Sequence, residues 1–200
     1  TYRPLAAINN FRRGLLTEYN PVFILTNGIK DFQDVLINSR HAAKTYAKIP
    51  EAFAQMVKKG YWYNEYLNAG GEQNTYFDKE TNTFKTQNKG LARVLALPPF
   101  STISALNNFI ERVPRLAEYI ASREAGESIE TAMLDAARVT TNFAAGSDFT
   151  KFLNRNGVTF LNASMQGAMQ QIRNFREAKA NGLKGWVNLA TKFAIAGLPS

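Results

Sequence analysis

Apolar positions recur along this chain at three- and four-residue intervals, the spacing that gathers side chains on one face of a helix. In "PLAAINNFRRGLL", Leu5, Ile8, Phe11 and Leu15 share such a face and predict a first helix. Asn20 followed by Pro21 predicts the start of the next. A carboxamide there can accept from an unpaired backbone N–H, and the proline ring is preset to helical φ. Phe23, Ile24, Phe32, Val35 and Leu36 are its apolar positions, and Gly28 marks a kink or a close helix contact. "KTYAKIPEAFAQMVKKGYWYNEYLNAGG" predicts a further helix, a break at Gly60, and a short aromatic helix closed by Gly70-Gly71.

From Gln73 to Gly90 the helical period lapses. Tyr76, Asp78 and the Thr81-Asn82-Thr83 turn predict an exposed loop or short hairpin over 73–90. After Pro98-Pro99, Ser101 is the expected cap of a long helix, kinked at Pro114 and ended at Gly126. Ser128 starts the next, with Ile129, Ala132, Met133, Ala136, Ala137 and Val139 apolar, and two more helices follow Gly157 and Gly182. The expected fold is all-α: one irregular multi-helix bundle over residues 1–200, with basic amphipathic helices over 136–200.

Composition agrees with a folded globular chain, at 45% hydrophobic and 12% aromatic residues. Charge adds a polarity. The net charge is +8, and it is uneven: 16 Lys/Arg stand against 14 Asp/Glu in residues 1–135, but 8 against 2 in residues 136–200. A surplus of that kind suits a polyanionic neighbour, DNA or an anionic membrane surface, although a merely soluble surface has it too. With no cysteine, disulfides and thiolate zinc sites are excluded. The absence of an initiating Met and the apolar end "FAIAGLPS" read as a piece of a longer chain.

Catalytic chemistry finds little footing. His41, the single histidine, is expected to be solvent-exposed, and one histidine cannot build a histidine metal site or triad. Glu111 and Glu118 could share acid/base work, but a helix-surface ion pair Glu111–Arg115 explains the spacing without it. "NAGGEQNT" lacks the lysine and hydroxyl of a phosphate loop. No enzyme, cofactor, metal or small-molecule substrate is expected. Arg155, Arg173, Arg176, Lys179 and Lys184 are candidate polyanion contacts, through phosphates rather than bases. Leu161, Met165, Met169, Ile172 and Phe175 form a candidate interaction face, and Trp186, Leu189, Phe193 and Ala196 a second stripe. Basic residues are expected on the opposite sides, as in interfacial helices, with ordinary core packing the competing explanation of both stripes. Asn162, Gln166 and Gln170 occupy the other face of the first helix, where they suit water or a protein neighbour better than lipid tails.

Four stretches occur in order: "RGLLTEYNPVFILTNGIKDFQDVLINS" (13–39), "NAGGEQNTYFD" (68–78), "FIERVPRLAEYIASREAGES" (109–128), and "AARVTTNFAAGS" with "FLNASMQG" (136–167). Together they resemble a helical domain of bacteriophage and mobile-element large polyvalent proteins, the large polyvalent protein-associated domain of the thirty-eighth class. The resemblance covers most of residues 10–175. It implies a non-enzymatic structural or assembly module of a very long phage protein, of the internal virion (ejection) kind, packaged in the capsid and delivered with the genome. It brings no catalytic residues with it. Partners would be other copies or other virion proteins, and the location the virion, then the host envelope or cytoplasm. The alternative is a sequence-nonspecific DNA-binding accessory module acting in the host cytoplasm.

Overall fold

The computed structural model describes residue 16 and residues 19–71, 97–140 and 161–196, and every element among them is helical. Seven helices follow in order: α1 Pro21–Asn38, α2 Ala42–Lys58, α3 Tyr61–Asn68, α4 Phe100–Glu124, α5 Ile129–Val139, α6 Leu161–Ala180 and α7 Gly182–Ala196. The all-α expectation holds. The predicted helix around Leu5–Leu15, the 73–90 loop or hairpin and the segment from 141 to 160 lie outside the described residues.

Local signals set several boundaries. The Asn20 side chain accepts from the Val22 N–H at 3.0 Å, and Pro21 opens α1. Ser128 accepts from the Thr131 N–H at the start of α5. Gly70 and Gly126 take positive φ at the ends of α3 and α4, as a left-handed turn requires. One expectation is corrected. Ser101 is not a cap, because α4 begins at Phe100 with Pro99 in the cap position. The break expected at Gly60 is present: Lys59 takes a φ of 49° and Gly60 beside it is extended, in the cap position of α3. α4 runs through Pro114 to Glu124.

α4 is the axis of the fold. α1, α2, α3 and α5 all pack on it, and Val113–Ser122 are buried without a break. Ala52 and Met56 of α2, Tyr66 of α3, and Ala132 and Ala136 of α5 meet Val113, Leu116, Ala117, Tyr119 and Ile120 of α4 in the apolar core. The alanines let helix backbones approach closely, and Tyr66 and Tyr119 meet edge-on at 5.5 Å between centroids. Gly28 does the same for α1: a Cβ there would lie 3.1 Å from Ile110 Cγ2 of α4, so the sequence expectation of a close helix contact is met. α6 and α7 pack mainly on each other, and α7 rests on α1.

Candidate functional site

A helix enclosed on all sides is ordinarily apolar all round. α4 is not. Arg115 is completely buried, and its guanidinium sits 3.0 Å from Glu111 Oε1 while Nε donates to Thr140 Oγ1 at 2.8 Å. The ion pair foreseen between Glu111 and Arg115 therefore exists, but in the core rather than on the surface. Its i,i+4 spacing is identical in either setting, which is why sequence placed it wrongly. Asp31 of α1 is buried too and accepts from Asn27 Nδ2 at 3.2 Å. Burial, helped by the neighbouring Glu111 charge, raises the Asp31 carboxyl to about 8, against the opposing pull of Arg115. At neutral pH Asp31 is thus mostly the neutral acid.

Glu118, one turn beyond Arg115, ends a second buried relay. The Thr45 hydroxyl donates to Glu118 Oε2 at 2.5 Å, and Ser39 Oγ lies 3.2 Å from Thr45 Oγ1. The Thr45 hydroxyl has a second acceptor in the His41 carbonyl at 3.1 Å. Ser39 Oγ in turn accepts from the His41 N–H at 2.9 Å. His41 is half-buried in the cap position of α2 rather than fully exposed. Further toward the C-terminal end of α4, Glu65 accepts from Tyr61 at 2.5 Å, Tyr119 at 2.7 Å and Arg123 at 3.0 Å. Burial alone would raise its carboxyl, but the three donors outweigh that and hold it below its ordinary value. These groups are locked into helix-to-helix ties. Glu111 and Glu118 are both enclosed.

The outer surface is built differently. α6 turns its polar side inward: Gln170 is buried and donates to the Arg138 carbonyl at 2.7 Å, and Asn174 donates to Asn38 Oδ1 at 2.9 Å. Met165, Met169, Ile172 and Phe175 face out, Met169 with 57% of its surface exposed. Leu161 is the first residue of the same helix. The sequence reading put the carboxamide side outward, and for Gln170 the structure reverses it. The apolar row, read as a candidate interaction face with core packing as the competing explanation, lies outward from Met165 to Phe175. α7 repeats the pattern. Leu189 is its buried anchor, Leu183, Trp186, Val187 and Ile195 are exposed, and Ala196 accepts from Gln33 at 3.1 Å. Lys192 reaches inward, donating to the Ile37 and Ser39 carbonyls at 3.2 and 3.0 Å, which satisfies the end of α1. Desolvation lowers its ammonium below the ordinary lysine value.

The two outward rows join where Phe175 and Trp186 meet, 6.0 Å between ring centroids. Gly185 makes the close crossing possible, since a Cβ there would fall 2.4 Å from the Ala178 carbonyl oxygen. Arg173, Arg176, Lys179 and Lys184 are all exposed on this hairpin. Arg176 and Lys179 follow Ile172 and Phe175 at i+4, so they extend the apolar row instead of opposing it, another correction to the sequence reading. Arg155 lies outside the described residues. Sequence reasoning missed one further row, Val22, Leu25 and Ile29 of α1, all exposed. Their three- and four-residue spacing is itself a legible signal for a second apolar face on α1. Among the described residues no helix is long and apolar enough to cross a membrane, and no cluster of metal-ligating side chains occurs. Comparison of the chain with protein-family models, curated proteins and solved structures finds no match.

Proposed function

We propose that this chain is a non-enzymatic structural and assembly module of a large bacteriophage protein, an internal virion protein delivered with the genome. One observation carries the reading: the α6–α7 hairpin holds itself to the body through polar ties and presents a continuous apolar row outward. An outward row of large apolar side chains suits an interaction site in a folded domain. The four ordered motifs from Arg13 to Gly167 support the phage context, and a cysteine-free, helical chain suits repeated unfolding and refolding from local contacts. Peptide mass spectrometry of gradient-purified virions tests it. Multiple copies per particle, with peptides flanking Thr1 and Ser200, are the expected result; absence from clean particles sinks the reading.

The exposed Arg173, Arg176, Lys179 and Lys184 favour a second reading, backbone contact with DNA. Such binding would weaken steeply with salt, with a log–log slope of roughly −0.9 per phosphate contacted.

A further inference from the structure

We infer that the α6–α7 hairpin is a docking surface for an anionic lipid bilayer, lying in the headgroup region with its apolar row buried and its cations at the phosphates. The inference rests on the reading above only for the premise that this face is the working surface.

Three observations support it. First, the residues facing out are those an interfacial helix buries: Met169, Ile172 and Phe175 on α6, with Trp186, Leu183 and Val187 on α7. Two carboxamides of α6 are turned away, Gln170 and Asn174, occupied by Arg138 and Asn38. Second, the charge is one-sided. Residues 161–196 carry five Lys/Arg against Glu177 alone, and Lys192 is the cation already used inside. The other four cations are exposed, and long basic side chains beside an apolar row can bury their stems while their charges reach the phosphates. The same excess argues against a second copy seated face to face, because like charges would be brought together. Third, α7 is 15 residues long, roughly 22 Å, and mixes Lys184, Asn188 and Lys192 into its length. It suits lying on a bilayer, not crossing one.

The test is flotation of the purified 200-residue chain with vesicles of phosphatidylcholine alone or mixed with phosphatidylglycerol, at low and at high salt. Binding is expected to the mixed vesicles only, falling as salt rises. The R176Q/K179Q variant should bind roughly thirtyfold more weakly, from the loss of two juxtamembrane charges. The M165S/M169S/I172S variant should lose binding at least about tenfold through its lost apolar area. Both alter exposed side chains, so their thermal unfolding should match the parent and exclude misfolding as the cause.

Equal binding by parent and variants would overturn the inference. So would no binding to the mixed vesicles at low salt, or self-association abolished by M165S/M169S/I172S in place of lipid binding. A chain abundant in virions but indifferent to vesicles would refute the lipid surface and leave the assembly role standing. A chain that binds vesicles but is absent from virions would do the reverse.

Discussion

Arg115 carries its charge entirely out of water, with Glu111 against it and Asp31 and Glu118 buried nearby. An ion removed from solvent costs several kcal/mol and is recovered only when its partners are well placed. Arg115→Ala should therefore destabilise the protein by about 3–5 kcal/mol, because it strands a buried carboxylate. R115M/E111L, which removes both charges and fills the space, should recover most of that loss in urea unfolding. Asp31 adds a pH dependence. Its carboxyl holds its proton to about 8 in the folded state and releases it near 3.8 when unfolded, so the folded state carries the extra proton between those values. Stability contributed by this group is therefore full below about 4 and declines as pH rises toward about 8, by up to ~1.4 kcal/mol per pH unit. Asp31→Asn keeps the shape of the neutral acid. It should leave stability unchanged at pH 4 and raise it relative to the parent at pH 8.5, as read from urea midpoints. At this scale the sequence was legible where chemistry is local: Asn20, Ser128 and Gly126 act on their own neighbours. It was opaque for Arg115, because an i,i+4 pair has the same spacing in water and in a core.

Between helices, the decisive facts are which side faces the body and how closely backbones approach. Periodicity identifies an apolar row on α6, but the direction of that row depends on what α6 packs against. Here the groups it meets are the Arg138 carbonyl and Asn38, so the carboxamides turn in and the row turns out. No property of α6 alone encodes that choice. Gly28 was easier to read, whereas Gly185 was not singled out by the sequence. Gly28→Val would drive a branched side chain at Ile110 and should cost roughly 1–3 kcal/mol by overpacking. Gly185→Ala meets backbone rather than a yielding side chain, with the Ala178 carbonyl in the way. It should part the α6–α7 crossing and quench or shift the Trp186 fluorescence while leaving the circular dichroism of the body intact. Lys192→Met should cost about 1–2 kcal/mol, since the Ile37 and Ser39 carbonyls lose their charged donor.

Taken whole, the molecule has a tightly enclosed axis and a hairpin held on mostly by polar ties. Buried positions crowd α4, whereas α6 and α7 contribute Gln170, Ala178 and Leu189. Amide hydrogen exchange should be slowest across Val113–Ser122 and measurably faster through α6 and α7. The all-α class was legible from periodicity summed over the chain; the division into axis and hairpin was not, because it depends on contacts between distant segments. The charged axis also has a thermal consequence. Unfolding would expose Asp31, Glu111, Arg115, Glu118 and Asn107 together with the apolar core. Hydration of apolar surface raises the heat capacity and hydration of polar surface lowers it, so the increment should fall below the usual ~12–15 cal/mol/K per residue. A small increment flattens the curve of stability against temperature, and calorimetry should find a protein whose resistance to unfolding varies little between a cold environment and a warm one.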